Sequence, residues 1–352
     1  MCTSESSSLT DEQKLFYEKN GYILIKNNLN PEFLDELRQR FEDLCEGTAQ
    51  NHGVSIVKDP VLKKRGISGQ YAVNKFQDIF DDEVLGKYGT CKEIVDVVEQ
   101  LIGPNITGIY SMLINKPPES NPDISRHPLH QDLHYFPFRP ANKIVTAWTA
   151  MERLDEKNGC LHVIPGSHNG PLYNHEYPEG NKHKLYHEVT GMNHLPKLHV
   201  IMEKGDTIFF HSLLLHGSGP NFTKGFRKAI SCHYADSNCT FMDINYGRMA
   251  KEIEDMEETK TGVPLNIQLK IRNHIPNGNL YIYRETKGQL IQTQSCVEES
   301  VPNKPDTTES TVSMESTFLD VPSTSTDINY FKARSRLIRG NPGALQQFYS
   351  NL

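Results

Sequence analysis

Between residues 106 and 235 the chain passes through short β-prone runs set apart by Gly, Pro and Asn, and this rhythm limits the fold more than any other feature. The runs are residues 109–114, 129–135, 144–151, 160–164, 199–202, 207–210 and 227–234. Helical stretches do not alternate with them, and neither a G-x-G-x-x-G nor a P-loop pattern occurs. A doubly wound nucleotide-binding sheet is therefore disfavoured. A jelly-roll-like pair of antiparallel sheets is expected instead.

Helices belong to the N-terminal end, which makes the chain mainly β with flanking helices. Thr10, with Gln13 three places on, reads as a capping box, and Asn20-Gly21 ends the helix it opens. Residues 22–25 form a short strand. Pro31 then opens a second helix in which Phe33, Leu34, Leu37, Phe41 and Leu44 recur at helical spacing. At 352 residues and 37% hydrophobic content, the chain has material for one large domain or two modest ones. Its apolar runs fall short of the roughly 18 residues that a membrane span needs. The N-terminus lacks the basic-then-apolar layout of a secretory signal. Seven cysteines lie scattered without a C-x-x-C pair, which points to reduced thiols in an intracellular compartment.

Charge is unevenly spread. Residues 295–327 carry seven acidic residues against one lysine, so nearly all of the formal net charge of −7 sits there and the remainder is close to neutral. Nothing in that balance draws the chain to nucleic acid, whose backbone needs clustered Lys and Arg. The same segment holds thirteen Ser or Thr and is expected to be disordered. The sequence thus divides into a domain over 1–294, an acidic Ser/Thr-rich insert over 295–327, and a segment over 328–352. In the last, residues around Phe331 and Leu337-Ile338 are expected to dock on the core.

The densest chemistry lies in Arg126-His127-Pro128-Leu129-His130-Gln131-Asp132-Leu133-His134. If 129–135 is a strand, His130 and Asp132 share a face with roughly 7 Å between their backbone positions, which suits chelation. His134 would lie about 13 Å along the same strand, too far to share an ion with His130. Chance H-x-D triplets are common, and two polar groups on a strand face explain most of them. A third ligand changes that weight. His216, before Gly217, ends an apolar run and can approach a metal, whereas His211 sits at an odd offset on the other face of a continuous strand. One of these two histidines completes a 2-His-1-carboxylate triad, which suits non-haem Fe(II) and leaves zinc open on ligand type alone. Arg227, eleven residues after His216, would be costly inside an apolar barrel unless a carboxylate met it. Trp148, the single tryptophan, reads as core or as a pocket wall, and His168 as part of a turn.

The runs 112–118, 125–140, 147–152, 202–206, 216–219 and 225–233 resemble the phytanoyl-CoA dioxygenase family of Fe(II)/2-oxoglutarate oxygenases, over roughly residues 9–245 and again near 327–340. The resemblance implies a double-stranded β-helix (cupin-like) core, with Fe(II) held by His130, Asp132 and His216. It implies 2-oxoglutarate and O₂ as co-substrates, with ascorbate as reductant. Arg227 and Ser218 would grip the distal carboxylate, Lys75, Met112 and Trp148 would line the pocket, and Gln131 would support the ligands on either side of it. The implied reaction is hydroxylation at carbon 2 of a 3-methyl-branched acyl-CoA, in fatty acid α-oxidation. The implied location is the peroxisome, with the cytoplasm as the alternative. The family's N-terminal import element is not seen, and Ser350-Asn351-Leu352 matches a Ser-Lys-Leu import address at two of three positions.

Other readings keep less of this. A related oxygenase acting on a different lipid-like substrate would share the triad. A metal-binding β-barrel module would share the fold and not turn over. Halogenation needs a small residue where Asp132 stands, and an interaction protein would work through the acidic insert.

Overall fold

Thr10 caps the first helix as its spacing from Gln13 requires. Its hydroxyl accepts from the Gln13 N–H, while the Gln13 side chain accepts from the Thr10 N–H at 2.8 Å. The helix Asp11–Asn20 ends at Gly21, whose φ of +78° is a left-handed conformation that favours glycine. Asn30 caps the second helix, Pro31–Glu46, which buries Leu34, Leu37, Phe41 and Leu44 along one stripe. The computed structural model describes residues 8–59, 62, 64–118, 125–177, 186–241, 281–286, 289–294, 335–343 and 345.

Two antiparallel sheets carry the molecule. The large one runs in the order Tyr22–Ile25, Thr207–His211, Ile144–Ala150, Arg227–Asp236, Ile106–Lys116, Val73–Gln77 and Ser55–Lys58, and Arg336–Arg339 adds to Ile106–Lys116. The small one runs Leu198–Val200, Leu161–Val163, His216–Ser218 and His127–His130. Facing sheets with strands that switch between them are the double-stranded β-helix form of a jelly roll.

Period-two alternation assigns each face of the large sheet. Outward residues such as Val145, Ala147, Phe209, Ile230 and Cys232 pack against the helices Pro31–Glu46 and Lys92–Ile102 in one apolar core. Inward residues Trp148, Ala150, Ile208, Phe210 and Ala229 meet Leu161, Val163 and Val200 of the small sheet. Polar residues share the inward face: Lys116, Thr146, Ser231 and His233 are all buried on it.

The chain separates into two units, Met1–Met242 with Ser325–Leu352, and Asp243–Thr324. Of the second, the described part is a hairpin in which Tyr281–Thr286 pairs with Gln289–Gln294. The acidic insert over 295–327 and the residues around Phe331 lie outside the described residues. Among those described, no helix is long and apolar enough to cross a membrane.

Two local expectations need correction. The strand drawn over 129–135 stops at His130, because the Leu133 N–H donates to the Ser212 carbonyl and Asp132–Tyr135 turns as a 3-10 helix. The continuous run through His211 and His216 is two strands in different sheets. Leu214 N–H closes a turn on the His211 carbonyl between them. The odd-offset argument against His211 therefore does not apply.

Candidate active site

His130 ends one strand of the small sheet, Asp132 opens the turn after it, and His216 begins the paired strand directly across from His130. Glycine lets these strands close up: a Cβ on Gly217 would lie 2.8 Å from both the His127 carbonyl and the His162 Nε2. The three side chains are buried, and one donor atom from each lies within 4.8 Å of the others. Asp132 Oδ1 is 3.3 Å from His130 Nε2 and 3.5 Å from His216 Nε2. Adjacent ligands on an ion with bonds of about 2.1 Å are separated by about 3 Å, so the spacing fits a metal.

Protonation also fits. The Nδ1 of His130 and of His216 each contact a backbone carbonyl at 2.9 Å, Pro128 and Leu214 respectively. A carbonyl only accepts, so Nδ1 carries the hydrogen and Nε2 presents a lone pair to the common point. Burial, with His130 beside it, pulls His216 down to about 4, so the ring is neutral at physiological pH. Burial alone would push the Asp132 carboxyl up, but the rings of His216 and His233 outweigh it and hold it well below the usual carboxylate range. Its second oxygen is occupied: Oδ2 accepts from Thr146 Oγ1 at 2.9 Å and from His233 Nε2 at 3.1 Å. Oδ1 is left for the ion.

His134 and His211 stand apart from this group. His134 lies in the 3-10 turn with its ring stacked 4.1 Å from His175, and burial pulls it down to about 2. Its separation from the site comes from that turn, not from distance along a strand. His211 accepts from the Leu213 N–H through Nδ1 at 3.0 Å, and its ring lies 5.3 Å from that of His168. The Gln131 side chain joins two loops, donating to the carbonyls of Pro171 and Leu213 and accepting from Tyr173 N–H at 2.8 Å. Its backbone N–H donates to His175 Nε2. Gln131 thus fixes the peptide between two candidate ligands.

The residues expected to line a co-substrate pocket sit on neighbouring strands of the large sheet. Met112 and Trp148 both lie opposite Ser231, and Lys75 lies opposite Ile114, two places along from Met112. Arg227 is 1% exposed, with its guanidinium carbon 5.7 Å from the centre of the Trp148 ring. It donates through Nη2 to the Gly159 carbonyl at 2.9 Å, while Nε and Nη1 have no partner among the described residues. Burial lowers it to about 10, so it remains a cation in need of an anion. Ser218 is buried on the small sheet two residues past His216. Lys75, pulled down to about 8 by burial against the opposing pull of Asp78, has its Nζ 5.9 Å from the Tyr186 ring.

The phytanoyl-CoA dioxygenase (PhyH) family model matches residues 17–229. This chain belongs to that family. Peroxisomal phytanoyl-CoA dioxygenase of Bos taurus is 47% identical over 267 residues, covering 74% of this chain and 79% of the relative. The Homo sapiens enzyme of the same name is 43% identical over 275 residues, covering 76% and 81%. A solved structure, the non-heme alpha ketoglutarate dependent carbocyclase SnoK, covers 67% of this chain and 88% of its own with a TM-score of 0.53. At 20% identity that likeness shows the shared double-stranded β-helix fold.

Three residues that contact the candidate site escape a local motif search: Thr146, His233 and Lys116. Thr146 and His233 hold the second oxygen of Asp132, and Lys116 donates to Ser218 Oγ at 2.7 Å. An even spacing was the available signal. His233 is six residues from Arg227 and Lys116 is four from Met112, so each pair shares a strand face.

Proposed function

We propose that this protein is an Fe(II)- and 2-oxoglutarate-dependent dioxygenase that hydroxylates carbon 2 of a 3-methyl-branched fatty acyl-CoA. The observation that carries the reading is a buried triad with both imidazole lone pairs and one carboxylate oxygen converging, set beside a buried arginine that lacks an anion. That combination asks for a metal and an anionic co-substrate together. Family membership supports the reaction, and the names of the bovine and human relatives support phytanoyl-CoA as the substrate class. Those names also support a peroxisomal location. The import address at 350–352 lies outside the described residues.

Ferrous iron with 2-oxoglutarate, when bound, activates O₂, releases succinate and CO₂, and supplies the oxidising power that places one oxygen atom on the substrate carbon. The protein's residues prepare that chemistry. His130, Asp132 and His216 would occupy one side of the ion and leave the other side for ligands. Thr146 and His233 hold the second oxygen of Asp132 and so aim the first, and because the carboxyl is held well below the usual carboxylate range no proton need leave it when metal binds. Arg227 would take the distal carboxylate of the co-substrate in a planar, two-pronged contact. Met112, Lys75 and Trp148 would line the space beside it, with Trp148 belonging to a buried apolar cluster.

The test is a panel of acyl-CoA thioesters and their free acids incubated with protein, Fe(II) and 2-oxoglutarate. The expected result is succinate that rises with a 3-methyl-branched acyl-CoA and disappears without iron. Succinate that rises with none of the thioesters would overturn the substrate class. A metal-binding module with no turnover would give no succinate under any condition.

A further inference from the structure

The inward face of the large sheet holds a second buried cation beside Arg227. Lys116 lies directly across from Arg227 in the antiparallel ladder, so both side chains leave the sheet on the same side. Lys116 is 5% exposed. Its ammonium donates to Ser218 Oγ at 2.7 Å and to the Gly219 carbonyl. Neither cation has a carboxylate partner within ion-pair distance among the described residues, and two nitrogens of Arg227 are unpaired.

Two like charges held side by side away from water repel each other and lose hydration. Burial, followed by the charge of Arg227, pulls the Lys116 ammonium well below the ordinary lysine range. An arriving carboxylate relieves both costs at once. The hydrogen bond to Ser218 adds direction: because the Lys116 ammonium occupies a lone pair of the hydroxyl, the single Ser218 hydrogen is left to point at an acceptor. Lys116, Ser218 and Arg227 come from three different strands, and Lys116 links the other two: it lies across from Arg227 in the ladder and donates to Ser218.

We propose that Lys116 is a positioning residue for the co-substrate: with Arg227 it forms a two-cation clamp on the distal carboxylate, and it aligns the Ser218 hydroxyl to donate to the same group. This rests on the reading that the pocket takes 2-oxoglutarate. It makes Lys116 a determinant of the preference for a dicarboxylic over a monocarboxylic 2-oxo acid. A purely structural lysine would not affect that preference.

The experiment compares 2-oxoglutarate with 2-oxopentanoate, which keeps the chelating end and lacks the distal carboxylate. Full-length protein loaded anaerobically with Fe(II) is titrated with each, and binding is read from the fluorescence of Trp148, the only tryptophan in the chain and a neighbour of Arg227. Wild type is expected to bind 2-oxoglutarate at least about tenfold more tightly than 2-oxopentanoate. Lys116→Met is expected to weaken 2-oxoglutarate by about tenfold or more and to leave 2-oxopentanoate within about twofold. Normal binding of 2-oxopentanoate also shows that the variant is folded. Lys116→Gln, which keeps a donor for Ser218 and loses the charge, is expected to shift the same ratio by less. Adding Ser218→Ala to Lys116→Met is expected to weaken binding by less than the two single losses combined, because both act on one contact. Equal weakening of both ligands, or of neither, overturns the role of Lys116. A wild type that binds both ligands equally overturns the underlying co-substrate reading instead.

Discussion

Asp132→Ala is expected to lose more than about a hundredfold in ferrous-iron affinity and nearly all turnover, because it removes the one anionic donor of the triad. Oδ1 is the atom that both imidazole nitrogens approach, at 3.3 and 3.5 Å. The substitution also strands the Thr146 hydroxyl and the His233 N–H, which are buried and donate to Oδ2. Iron per chain after anaerobic loading is the measurement. His216→Ala is expected to behave alike, whereas His134→Ala and His211→Ala, whose rings stand outside the cluster, keep a measurable fraction of metal and activity. Stoichiometric iron in Asp132→Ala, or iron lost from His211→Ala and kept by His216→Ala, would break the assignment.

Arg227→Lys is the second large effect. The substitution keeps the charge and loses the planar fork, and a hydrogen bond to a charged group contributes about 1.5–3 kcal/mol, so 2-oxoglutarate affinity is expected to fall about tenfold to a hundredfold. Iron affinity should change little, since Arg227 contacts Gly159 and Trp148 and none of the three metal-ligand candidates. Titration followed by Trp148 fluorescence reads the loss. Unchanged co-substrate affinity would return Arg227 to a structural role.

How much of this was legible in the sequence depends on whether the signal was local. The Thr10–Gln13 cap and the Leu34, Leu37, Phe41, Leu44 stripe follow from spacing alone and stand as expected. His130, Asp132 and His216 stood out in the sequence as candidate chelators, and the structure brings the three together, though not by the strand geometry expected of them. Asp132 reaches His130 from a 3-10 turn pulled out of the ladder by Ser212, a contact 79 residues away in the chain that no periodicity carries. His211 and His216 looked like one strand because Ser212-Leu213-Leu214-Leu215 has no Gly or Pro to mark the crossing between sheets. Thr146, His233 and Lys116 are ordinary members of β-runs. Even spacing puts His233 on the face of Arg227 and Lys116 on that of Met112, but what they meet is set by the register of Ile106–Lys116 against Arg227–Asp236, and of Arg227–Asp236 against Ile144–Ala150.

The central claim is that these residues direct an oxygenation in which 2-oxoglutarate and the acyl-CoA each receive one atom of the same O₂. Reaction of the iron-loaded protein with 2-oxoglutarate and a 3-methyl-branched acyl-CoA under ¹⁸O₂, with both products analysed by mass spectrometry, tests it most directly. Label in both the succinate and the 2-hydroxyacyl-CoA, in equal yield and absent from His216→Ala, is the predicted result. Unlabelled succinate, or succinate formed with no hydroxylated thioester, would contradict it.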